Sequence, residues 1–171
     1  MKKHFQAASR VLGMHIIFAI ASFLFSKSFH WALANDQYEL ITSRLVIYSL
    51  ITTFFYLAAV HSIMWDVGKK DNNEGEKPYI MKGLVIGLIV SIPAIVLFIL
   101  SLFIPGGVIA ALYRFYQFTF WGFMAIGNGS ALACLCVMFI ELVWCTITYI
   151  LGLKKIDVVA IIKDKVIYKQ K

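Results

Sequence analysis

Residues 45–65 read LVIYSLITTFFYLAAVHSIMW and residues 83–113 read GLVIGLIVSIPAIVLFILSLFIPGGVIAALY, and neither stretch holds an Asp, Glu, Lys or Arg. An uncharged apolar run longer than roughly 18 residues can carry a helix across the ~30 Å hydrocarbon core of a bilayer. These two runs decide the fold as all-α and integral to a membrane. Composition agrees: the 171-residue chain is 61% hydrophobic and 15% charged, against about 45–50% and about 25% in an ordinary soluble domain.

Working outward from them gives a four-transmembrane-helix bundle in a single membrane domain. The run 45–65 is the second span. Upstream, residues 11–26 are uncharged and short for a crossing, so the first span is drawn over about 11–34 with Lys27 snorkelling. The basic start Met1-Lys2-Lys3 and the tripeptide Ala32-Leu33-Ala34 also fit a cleaved signal peptide, but Lys27 and His30 sit badly between its apolar region and its cut. The third span covers 83–104 and stops at Pro105-Gly106-Gly107. Residues 115–153 carry one charge, Glu141, and as one straight helix would be about 58 Å long. The fourth span is therefore placed at 130–153. Residues 108–126 become an outer interfacial or re-entrant segment between helices 3 and 4, broken from the fourth span at Gly127-Asn128-Gly129. Its aromatics Tyr113, Phe115, Tyr116, Phe118, Phe120, Trp121 and Phe123 read as an interfacial belt.

Charge sets the orientation. Thirteen of the sixteen basic residues fall on the amino-terminal tail, the 66–82 connector and the 154–171 tail, leaving Lys27, Arg44 and Arg114 on the other side. The positive-inside rule then places both termini in the cytoplasm, with the connector and the C-terminal tail. In that tail Ile156, Val159 and Ile162 share a helical face between lysines, which fits either an amphipathic helix on anionic lipid or a solvated tail, and its β-branched content also allows a short strand. The net charge of +7 sits in these segments, so nucleic-acid binding is not expected. Cys134, Cys136 and Cys145 share one apolar segment, which argues against a disulfide framework.

Eight of the nine acidic residues lie outside the spans, and the ninth is Glu141. Thirteen residues before Lys154, it is about 20 Å from the inner boundary, where an ionised carboxylate must be neutralised, paired or wetted. It shares a stripe with Cys134, Met138, Cys145, Thr148 and Gly152, preceded at intervals of four by Ala125, Gly129 and Ala133. Small residues on such a face favour close helix packing. Gly83, Gly87 and Ser91 form a second packing face, and Pro93 predicts a kink in the same helix. His15 and His61 fall about 7–8 Å inside the cytoplasmic boundary, so both are read as interfacial histidines, separated in depth from Glu141. Polar, small stripes on the first helix (His15, Ala19, Ser22, Ser26) and the second (Ser49, Thr53, Tyr56) should turn inward. A fold-back of the aromatic segment would bring Arg114 to Glu141 as its counter-charge.

No cofactor or metal is expected. Cys134, Met138, Glu141 and Cys145 would have to converge over about three turns of one helix, and the stretch from Asp71 through Asn73 to Gly75 lacks the spacing and closing Glu of a calcium loop. Phosphate-binding glycine loops, nucleophile elbows and zinc-protease helices are also missing. The connector begins with Trp65, Asp66, Gly68, Asp71 and Asn73, where the acids can cap turns and pair with Lys69 and Lys70 and Gly68 can relax the helix exit.

That block, followed by Lys82-Gly83, Gly87 and Pro93, resembles uncharacterised small polytopic (four-helix) bacterial membrane proteins over residues 65–93. The resemblance implies a multi-pass protein of the inner cell membrane and no activity. The expected function is a small accessory or scaffold subunit of a membrane complex, embedded in lipid as a homo-oligomer or with a membrane partner. The alternative is a small oligomeric transporter or channel with Glu141 in the permeation path. An intramembrane enzyme ranks third, because it needs a second polar group beside Glu141.

Overall fold

A computed structural model of the chain describes residues 2–31, 38–73, 79, 81–104, 107–127, 130–158 and 160–161. Gly129, Val159 and Ile162, named above for packing and for the tail face, lie outside them, as do residues 32–34 of the alternative cleavage site. All regular structure among the described residues is helical: α1 (Lys2–Trp31), α2 (Tyr38–Asn73), α3 (Lys82–Phe103), α4 (Gly107–Tyr116), a 3-10 turn (Phe118–Phe120), α5 (Trp121–Ile126) and α6 (Ala131–Leu153). Four stretches are long and apolar enough to cross a membrane: His4–Ser26, Leu45–Asn73, Lys82–Phe103 and Ala131–Leu153. Helices suit such sequences because each backbone donor finds its acceptor within the same segment.

Burial follows helical periodicity. On α3 it picks out Lys82, Gly83, Ile86, Gly87, Val90, Ser91, Ala94 and Phe98. Gly83 and Gly87 lie directly against α6: an added Cβ would stand 2.8 Å from Tyr149 Cβ at the first and 3.0 Å from Leu142 Cα at the second. The Ser91 hydroxyl donates to the Gly87 carbonyl (2.9 Å), so a buried polar group is satisfied within its own helix. Pro93 lies inside α3.

Two features depart from the simplest reading of the spans. α2 continues through Trp65 and Asp66 to Asn73, so the first half of the polar connector is helix. Gly68 is accordingly no flexible exit. It is buried where a Cβ would collide with the Tyr149 carbonyl and the Leu153 nitrogen of α6, and Gly152 meets the Trp65 backbone in the same way. This glycine pair lets α2 and α6 touch backbone to backbone. The second feature is the break between α5 and α6, which divides Ala125 from Ala133. Both are half-buried but stand on different helices, and Gly127 rather than a continuous stripe packs on Ala133 Cβ. Ser130 caps α6 by accepting the Ala133 N–H.

Two residues beyond α6, Lys155 stands in the left-handed region (φ 54°), after which Asp157 accepts the Ala160 N–H (3.0 Å) at the start of a further helical turn.

Candidate functional site

The residues 107–126 do not form one helix, and that interruption builds the site. Wherever a helix breaks inside an apolar core, carbonyls and amides lose their partners and need others. Here the partners come from the inward stripes of α1 and α2. Nε2 of His15 donates to the carbonyl of Tyr116, the last residue of α4 (2.9 Å). The hydroxyls of Thr52 and Thr53 donate to the Thr119 carbonyl (3.2 and 3.1 Å). The Ser49 hydroxyl oxygen accepts the Gly122 N–H (2.6 Å). Gly122 is required there: an added Cβ would sit 2.5 Å from the Leu45 carbonyl and 2.7 Å from Ser49 Oγ.

Anchoring Tyr116 fixes the state of His15. A carbonyl only accepts, so Nε2 carries a hydrogen and Nδ1 is the atom free to gain or lose one. Nδ1 lies 3.1 Å from Glu141 Oε1 and 3.2 Å from the Tyr56 hydroxyl, and the Tyr56 hydroxyl donates to the same Oε1. A single proton therefore belongs to the Nδ1–Oε1 contact. On nitrogen it makes an imidazolium–carboxylate pair, and on oxygen a neutral imidazole beside a carboxylic acid; the cluster is net neutral either way. His15 and Tyr56 are 0% exposed and Glu141 3%. The Tyr116 ring stacks on the imidazole (centroids 4.2 Å apart), while Tyr56 meets it edge-on (5.4 Å) and Phe120 meets Tyr56 edge-on (5.6 Å). The Tyr116 hydroxyl donates to the Val90 carbonyl (3.3 Å).

Counting depth from Arg10 separates His15 from Glu141, whereas the structure brings them into contact. The reason lies at the start of α1. That helix begins at Lys2, and Ala7 and Ala8 are buried in the core on the near side of an exposed Arg10. Measured from helix ends, His15 is about 20 Å from Lys2 and Glu141 about 18 Å from Leu153. Arg10 marks where one side chain reaches outward and not where the apolar packing begins.

Residues 107–126 pack against α1 and α2, but Arg114 is not brought to Glu141. Glu141 is served by His15 and Tyr56, while the Arg114 guanidinium is exposed and lies over the Trp121 ring, 5.8 Å from its centre. His61 is apart as well: half-buried five residues further along α2 than Tyr56, it stands beside Trp144 (6.3 Å).

A second polar cluster closes the other end of the bundle. Lys82 donates to both oxygens of Asp71 (2.9 and 2.6 Å), and the Tyr149 hydroxyl donates to Asp71 Oδ2 (2.8 Å). All three residues are buried. Asp71 is thus paired with Lys82, the first residue of α3, and not with Lys69 or Lys70 as local spacing suggests. Lys69 instead rests on the Trp65 ring (4.7 Å). Trp65 donates its indole N–H to the Ile156 carbonyl (3.0 Å), and Asn72 its amide to the Leu153 carbonyl (2.8 Å), tying the end of α2 to the residues that close α6. Asp66 and Asn73 are exposed.

Among the described residues no group of three or more His, Cys, Asp or Glu side chains could hold a metal ion. Two cavities flank α1: an apolar groove of about 430 Å³ against α2, and a cup of about 440 Å³ against α4 and α5. Neither is lined by His15 or Glu141. Compared with known protein families, with curated proteins and with solved structures, the chain matches none.

The inward stripe of α2 contains Tyr56, but nothing in sequence spacing pairs it with Glu141, 85 residues away. Tyr116 takes part through its carbonyl, a group every residue owns, so no residue-type signal could reveal it.

Proposed function

We propose that this chain is a small accessory or scaffold subunit of a bacterial inner-membrane complex, inserted with both termini and the 66–82 connector in the cytoplasm and residues 107–126 folded back into the outer half of the bilayer. The observation that carries the reading is the closure of Glu141. Its hydrogen bonds run inward to His15 and Tyr56, and almost none of it is exposed. A carboxylate used this way joins α1, α2 and α6 and leaves no charged atom facing a path for solute. The bundle's remaining faces are apolar, including Phe54 and Phe55 on α2 and Phe139 and Val143 on α6, and these suit lipid or a neighbouring subunit's helices.

The test is isolation from native membranes in a gentle detergent after in-membrane crosslinking, with wild-type protein in liposomes assayed for solute and proton flux in parallel. A stable assembly containing a second protein or further copies, and no flux, is expected. Recovery as a monomer with no crosslinked partner overturns the reading.

One observation favours a second reading, a proton-coupled transporter: the shared proton between His15 and Glu141 is the kind of group that a relay needs. Proton-dependent flux that disappears in Glu141→Gln would establish it in place of the scaffold. The same dyad supplies the second polar group that an intramembrane enzyme requires, but its burial offers a substrate no approach in this conformation.

A further inference from the structure

We propose that the cup between α1, α4 and α5 is a binding site for the phosphate of an anionic phospholipid, with Arg114 as its cation. The cup of about 440 Å³ falls within the range of small-molecule sites. Its space comes from Gly107, Ala110 and Ala111, which occupy the face of α4 that Arg114 and Phe115 share one or two turns later. Its walls are aromatic. Phe23 of α1 meets Phe115 and Phe118 edge-on (5.5 and 5.6 Å), and Phe118 lies parallel to Trp121 (6.0 Å). Trp121 in turn holds the guanidinium over its face.

Three features together select the ligand. The charge of Arg114 is uncompensated, since no acidic side chain among the described residues pairs with it. A planar guanidinium offers phosphate oxygens two parallel donors. Depth supplies the second feature: Phe23 stands four residues before Lys27, about 6 Å along the helix, and the Lys27 ammonium can reach the headgroups. The third is amphipathy. Val108 and Leu112, next in sequence to the lining residues Gly107 and Ala111, are at least half exposed and give acyl chains a surface to follow, whereas a small inorganic anion gains nothing from rings and methyl groups. The inference uses the membrane placement proposed above and is independent of the scaffold role.

The test follows the intact protein in neutral detergent micelles titrated with phosphatidylglycerol, phosphatidylcholine or inorganic phosphate, reading thermal stabilisation and lipid adducts by native mass spectrometry. The anionic lipid should bind roughly tenfold more tightly than phosphatidylcholine. Arg114→Gln should abolish that preference, and Arg114→Lys should keep part of it. Ala111→Phe fills the cup while retaining the cation, so it should produce the same loss and serves as the second variant if Arg114→Gln does not fold. Equal affinity for the two lipids overturns the proposal. A preference that persists in Arg114→Gln does so too, assigning anionic lipid to the lysines of the tail, and so does an Arg114-dependent shift with phosphate alone. Partner capture measured on the same variants separates the two proposals: loss of the lipid preference with the assembly intact supports the cup, and loss of the assembly with the preference intact removes only the scaffold.

Discussion

The two buried polar clusters are built alike and solve different problems. In each, a carboxylate accepts a tyrosine hydroxyl and faces one base, with members drawn from three long helices: α1, α2 and α6 for His15, Tyr56 and Glu141; α2, α3 and α6 for Asp71, Lys82 and Tyr149. Together they tie all four long helices. What differs is the base. Midway along the helices the base is histidine, which can hand its proton to the carboxyl and leave two neutral groups, so the cluster escapes the cost of two full charges in a medium of low dielectric constant. At the helix ends it is lysine, whose full charge is tolerable because water is only a turn or so away. The kind of base therefore changes with position along the helices: histidine midway, lysine at the first residue of α3.

Removing one base from each cluster is the direct way to break this comparison. His15→Leu leaves a buried carboxyl with only Tyr56 and an unanswered Tyr116 carbonyl, and should cost about 3–5 kcal/mol of stability, read by denaturant titration in mixed micelles. The double variant His15→Leu/Glu141→Leu should recover most of that loss, because it buries no unpaired acid. If the single change costs no more than about 0.6 kcal/mol, the average for polar contacts between membrane helices, the central cluster is no lock. Lys82→Met should cost less, about 2–3 kcal/mol, since Asp71 can relax toward the helix ends and water. A larger loss there than at His15 would reverse the ranking by depth.

Two smaller changes sharpen the same contrast. Gly122→Ala presses a methyl group against the Leu45 carbonyl and Ser49, with an expected loss of about 1–3 kcal/mol. It should also accelerate hydrogen exchange of the backbone amide at position 122, an effect that neither Lys82→Met nor any change at the far cluster should reproduce. Tyr149→Phe removes one hydrogen bond from an acid that keeps both contacts with Lys82, and should cost about 0.5–1 kcal/mol in the same unfolding assay.

The long helices are legible because each span is a property of a contiguous run: 45–65 and 83–104 are uncharged, the first lies within α2, and α3 covers the second up to Phe103. Legibility declined wherever a charged residue was used as a boundary mark. Arg10 and Asp66 both sit within helices that continue past them, because a long or terminal charged side chain can reach water while its backbone stays in regular structure. Depth counted from Arg10 puts His15 near the boundary, and its contact with Glu141 is therefore not legible in the sequence. For Asp71 the neighbouring lysines at positions 69 and 70 are the partners that sequence offers, while Lys82 reaches it from the first residue of α3, across the 74–81 connection.

The sequence by itself determined that the chain is helical, that four stretches are apolar enough to cross a membrane, and that one acid, Glu141, lies within them at a depth where it needs an answer. Those are consequences of local hydrophobicity and helical rise, which need no knowledge of neighbours. Tertiary structure decided what the answer is. The break after Tyr116 exposes a carbonyl, that carbonyl fixes the hydrogen on His15 Nε2, and the fixed imidazole presents Nδ1 to Glu141. Each link joins residues about a hundred or more positions apart, through directional bonds that only the packed helices bring within reach.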